Sequence, residues 1–251
     1  MATITQGIPQ GGIQFTGRNG LVDTYYYFVM TLATAATVFR GFSHTIGARV
    51  LHPPIPVPSI LLVHITAFSC WMCFLVLQST LVRVHNVRLH RTLGWFGVGL
   101  GVFMVPLGIA TAIIMGRYLK HQLHVPGIES ILVFSFADLI VFSILLALAI
   151  RWRKKRDLHR VMMIATACLF LNAAFARVPF FAHLHFSYFF TSITLNLIFL
   201  TGALRDWLVN RRIQRAYFIL PPILLAFQLF VSYISYGTPS WWTRFADTLL
   251  G

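Results

Sequence analysis

The chain of 251 residues is 57% hydrophobic and only 10% charged, against about 25% charged in ordinary soluble domains, which excludes a soluble globule of this size. The formal net charge of +14 would point to nucleic acid if the basic residues formed a patch. They sit instead in loops between apolar runs, which points to membrane topology and anionic headgroups. Cys70, Cys73 and Cys168 all fall within apolar segments and do not form a disulfide framework.

In chain order, residues 1–20 are polar and glycine-rich, without the basic region and apolar core of a cleavable signal peptide. They read as a tail, and insertion falls to the first span. Apolar spans follow near 22–42, 59–82, 92–116, 130–150, 160–178, 187–204 and 216–236. Most approach the roughly 20 residues that carry a helix across about 30 Å of hydrocarbon. None shows the alternation of a membrane barrel strand. The expected fold is therefore all-α, a polytopic bundle of seven transmembrane helices over 21–237 followed by an outer C-terminal tail, 238–251.

Charge gives the orientation. Arg83, Arg88 and Arg91 lie between spans two and three. Arg151, Arg153, Lys154, Lys155, Arg156 and Arg160 lie between four and five, and Arg205, Arg211, Arg212 and Arg215 between six and seven. With Arg18 these make fourteen of the 20 basic residues on one side. The positive-inside rule makes that side cytoplasmic, with the N-terminus inside and the C-terminus outside. Tyr25, Tyr26, Tyr27, Trp95, Trp207, Trp241 and Trp242 fall near span ends, as an aromatic belt requires.

Seven of the ten histidines then face outward: His44, His52, His64, His121, His124, His183 and His185. Histidine is the commonest metal ligand, so His64, His121, His124, His183 and His185 are candidate metal ligands. His121 and His124 would share a face if their loop were helical, and His183 and His185 if theirs were extended. The alternative is a set of interfacial histidines bonded to water and headgroups. His64 stands apart, roughly 8 Å below the outer edge at 1.5 Å per residue. With Phe68, Trp71, Leu75 and Gln78 it forms an inward-facing stripe.

Span three carries His90, Gly94, Gly97, Gly101, Met104 and Gly108 on one face. Such a groove admits another helix or a flat macrocycle. Span five repeats the pattern with His159, Met163, Thr166, Phe170, Ala173 and Arg177, and the tripeptide Leu-His-Arg opens both spans. Gln78, Asp138, Asn172 and Arg177 are polar residues buried by position. A carboxylate at the depth of Asp138 must be neutral, paired or wet, and Arg177 is the expected partner. Cys70 and Cys73 could serve Cu(I) but read more simply as core packing. Span seven has no lysine for a Schiff base, and no HExxH, P-loop or nucleophile-elbow motif occurs in a suitable context.

His64, LHRTLGW, Asp138, KRDLHR and NAAFARVPF together resemble an uncharacterised group of bacterial multi-pass membrane proteins, over roughly 20–240. That resemblance implies a bacterial inner-membrane location and brings no activity. The His-Arg-x-Leu-Gly segment is also similar to segments of membrane b-type cytochromes, which pair histidines across facing helices. Here His90 and His159 match in depth only at the cytoplasmic edge. Three functions stay open. The first is a haem b or copper protein for electron transfer or metal delivery, with His64, His90 and His159 as cofactor ligands. The second is a small-solute or proton transporter. The third is a non-catalytic subunit docking other membrane proteins, or itself, through its glycine face. Nucleic acid is not an expected partner.

Overall fold

The structure, a computed structural model, describes residues 18–53, 55–182 and 187–251. These residues form α-helices and no strand. α1 spans Arg18–Ile46 and runs into a π-helical turn at Gly47–Leu51. It is followed by α2 (Ile60–Arg83), α3 (Val87–His121), α4 (Ile128–Arg151) and α5 (Arg156–Phe175). A short α6 (Pro179–Ala182) precedes α7 (Ser187–Asn210), α8 (Ala216–Gly237) and α9 (Ser240–Leu250).

Among the described residues six helices, α2, α3, α4, α5, α7 and α8, are long and apolar enough to cross a membrane, so the fold is that of a multi-pass membrane protein. α1 has the length, at 29 residues, but it falls outside that set of six. The buried Thr31 and Thr34 and the mid-helix Arg40 make it more polar than the rest. It nevertheless packs on α2, α5 and α7. The expected tail 1–20 lies outside the described residues up to residue 17. Residues 238–251 contain a helix, α9, seated on α3 and α4.

α5 occupies the middle, touching α1, α4, α7 and α8. Its small residues explain this. Ala165, Thr166, Ala167, Cys168 and Ala174 are all buried, and short side chains let helix backbones approach where lipid offers no hydrophobic drive for association. Large apolar side chains point the other way, with Phe96, Phe103, Ile144, Leu197, Phe218 and Phe230 exposed as the lipid-facing surface. Asn86 starts α3 by accepting a hydrogen bond from Leu89 N at 3.2 Å. His85 takes the left-handed conformation, φ 60°, that reverses the chain between α2 and α3.

Most of the glycine face of α3 is filled by this chain's own side chains. A Cβ at Gly97 would strike Phe74, at Gly101 Leu146 and Trp71, and at Gly108 Leu139. From Gly97 to Gly108 the groove is a packing seam between α2, α3 and α4, while Gly94 meets nothing within 4 Å. Cys70 and Cys73 are exposed on α2, so they are neither core residues nor a buried thiolate pair.

At the arginine-rich end the basic side chains lie over the aromatic belt. Arg83 sits 3.9 Å from the Tyr25 ring centroid, Arg153 5.5 Å from Trp95 and Arg211 5.6 Å from Trp207. Such cation–π contacts anchor helix ends at an interface. At the opposite end α9 is tied down by Trp242 Nε1 donating to Glu129 O at 2.9 Å, Arg117 Nε to Leu249 O at 2.9 Å, and Lys120 Nζ to Asp247 at 2.8 Å.

Candidate functional site

Two constellations of polar groups form at different depths. The first stands at the arginine-rich end, where the two Leu-His-Arg segments meet. Each opens a helix in the same register: His90 is the fourth residue after its N-cap, Asn86, and His159 the fourth after Lys155. The two imidazoles face one another across α3 and α5, ring centroids 6.5 Å apart and planes 75° to each other. His159 Nδ1 lies 2.9 Å from Ala149 O, the carbonyl of the preceding helix. His90 lies against the backbone of Gln78 on its preceding helix. His90 Nδ1 and both side-chain amide atoms of Gln78 are buried without a protein partner. The repeated tripeptide thus corresponds to one local geometry built twice.

The second constellation occupies the opposite half of the bundle. Tyr188 Oη, on α7, donates to Asp138 Oδ1 at 3.4 Å, and Thr191 Oγ1 donates to Asn172 Oδ1 at 2.6 Å. Asn172 stands beside both Asp138 and Tyr188. One turn further in, Asn196 Nδ2 donates to Gln228 Oε1 at 3.0 Å and to Ser192 O at 2.9 Å. Thr191 and Ser192 are fully buried, and Asn172, Asn196 and Gln228 nearly so.

The expected Asp138–Arg177 pair is not what forms. Asp138 takes its neighbours from α5 and α7. Arg177 donates to Ala173 O at 2.6 Å and places its guanidinium 4.1 Å from the Phe42 ring centroid. Asp138 stands on α4, whereas Arg177 follows the end of α5 and is turned to Phe42 of α1. Arg177 does lie near His64, whose ring stacks on Phe68 at 4.0 Å and whose Nδ1 is buried without a partner.

Among the described residues the outer histidines do not assemble into a site. His121 ends α3 and contacts Leu250 O at 2.9 Å, while His124 lies beyond the helix with φ 48°. The pair therefore shares no helix face. His183 and His185 lie outside the described residues. Among the described residues no three His, Cys, Asp or Glu side chains converge as metal ligands.

The Arg205–Asp206 pair was not anticipated from the sequence, where Arg205 reads as one more loop cation. The two side chains are buried and joined at 2.7 Å, with Asp206 also accepting from Gln214 N at 3.2 Å. The seam of Tyr188, Thr191, Ser192 and Asn196 escaped notice as well, although its spacing of three and four residues was visible. Comparison of the chain with protein-family models, curated proteins and solved structures finds no match.

Proposed function

We propose that this chain is a seven-helix protein of a bacterial inner membrane, with its N-terminus on the cytoplasmic side, that holds a redox metal between His90 and His159. Electron transfer, or delivery of the metal to a membrane partner, is the activity this supports. The observation that carries the reading is the separation of the two rings. Two imidazoles binding one ion in line at about 2.0–2.1 Å each set their ring centroids about 6.4 Å apart, and the observed value is 6.5 Å. The Ala149 carbonyl at His159 Nδ1 is the outer contact that fixes a ligating imidazole and turns Nε2 towards the ion. Gln78 offers an uncommitted carboxamide beside His90.

Two neutral imidazoles suit a monovalent, soft ion such as Cu(I) better than a divalent one, since among the described residues no carboxylate is bonded to either ring. A haem iron would use the same two ligands, with Arg83, Arg91 and Arg160 for its propionates. The filled glycine groove of α3 leaves that alternative less room.

The test is elemental analysis and visible absorption of the purified protein, beside His90→Ala and His159→Ala. Stoichiometric copper in the wild type, lost in both variants, is the expected result. A Soret band lost in both would assign haem instead. Metal content unaffected by both substitutions, or none after expression with copper and haem supplied, would refute the site.

A further inference from the structure

Asp138 belongs to a different part of the bundle from the histidine pair and has a neighbourhood of its own. An ionisable side chain within a membrane span is costly and calls for a function by default. The groups closest to Asp138 are hydrogen-bond donors: the Tyr188 hydroxyl at 3.4 Å and the Asn172 amide. The Asn172 oxygen is already engaged by Thr191 at 2.6 Å. That bond leaves Nδ2 as the free end of the carboxamide, and Nδ2 is buried with no protein acceptor in ordinary geometry.

Cation sites of this size are built from several oxygen ligands. A carboxylate that accepts from an O–H and lies beside a carboxamide is set up instead to be ionised without a metal and to be protonated without losing its neighbours. Among the described residues, the charged groups on the helices packed against α4 do not reach it. Lys120, Glu129 and Asp247 pair with one another at the outer end, about two and a half turns from Asp138 along α4. Arg177, just past the end of α5, is turned to Phe42. Among the described residues, the titratable groups that face Asp138 are Tyr188 and, behind it, Tyr236 on α8.

Inward of Asp138 the buried face of α7 stays polar. Ser192 Oγ and Asn196 Oδ1 have no protein partner, and buried polar atoms in that condition are ordinarily met by water. Phe199 and Tyr217, ring centroids 5.1 Å apart and each 1% exposed, close the seam.

We propose that Asp138 is a reversible proton-exchange site, loaded from water on the outer side and opening onto this hydrated seam. In the exchange an O–H bond forms on the carboxylate, hydronium gives up its proton and returns to water, and nothing is oxidised. The site supplies a coupling proton from the outer half of the membrane and does not depend on the histidine metal site.

Infrared difference spectra of the purified protein in lipid, taken between acid and near-neutral pH, test this. A carboxylic C=O band should appear on acidification, move down in D₂O and be missing from Asp138→Asn. Thr191→Val, which releases the Asn172 carboxamide, should displace the midpoint of that band. If Asp138→Asn fails to fold, Tyr188→Phe takes its place and should shift the band. An Asp138→Asn difference spectrum identical to wild type, or a band indifferent to Thr191→Val and Tyr188→Phe alike, would overturn the proposal.

Discussion

Replacing Gly41 with alanine probes whether α1 is locked into the bundle. A methyl group at this position would lie 2.6 Å from the Ala174 carbonyl oxygen and 2.9 Å from both Cα and Cβ of Ala174. Carbon and oxygen settle at about 3.3–3.6 Å, so α1 and α5 would have to part by roughly 0.7–1 Å. The obstacle is backbone on the most enclosed helix, so no rotamer change relieves it. Overpacking of this kind costs about 1–3 kcal/mol. Gly99→Ala is the control: nothing lies within 4 Å of its added methyl, and alanine gains about 0.5–1 kcal/mol over glycine in a helix interior. The two substitutions are chemically identical and should move stability in opposite directions. Denaturant titration of detergent-solubilised protein, followed by circular dichroism, gives the comparison. Equal midpoints for Gly41→Ala and Gly99→Ala would refute the seating of α1 on α5.

Arg205→Met should destabilise by about 3–5 kcal/mol, because it strands the Asp206 carboxylate in a site where the pair is 4% and 6% exposed. Adding Asp206→Leu should recover much of that loss in the same titration, and a double variant no better than the single would count against a charge-desolvation cause. Trp242→Ala removes a buried indole and its 2.9 Å hydrogen bond to Glu129 O. At about 3–5 kcal/mol for a large core aromatic, it should release α9 to proteolysis while α2–α8 stay protected.

Hydropathy read the six strong spans well because every backbone group in lipid must be satisfied within its own helix, so a long apolar run has one structural outcome. It could not tell which face of each helix meets protein, since lipid tails are as apolar as leucine. Cys70 and Cys73 illustrate the point: they are equally at home in a core or against lipid, and they proved exposed. Polar residues broke that degeneracy only in part. The repeated Leu-His-Arg placed His90 and His159 at matching depth, because identical register after a helix start fixes the height of a side chain. The depth of Asp138 calls for a partner, but depth along an axis says nothing of rotation about it. Its neighbours came from Asn172 and Tyr188 and not from Arg177. The α7 seam was hidden by its small hydroxyl and amide side chains, which barely lower the hydropathy of the span that carries them.

The outward face of α2 has a practical consequence. Cys70 and Cys73 are both exposed one helical turn apart, whereas Cys168 is wholly buried. The native chain therefore carries its own pair of attachment points for membrane-permeant spin labels or fluorophores. A probe placed there would read bilayer depth and the roll of α2 without an engineered thiol.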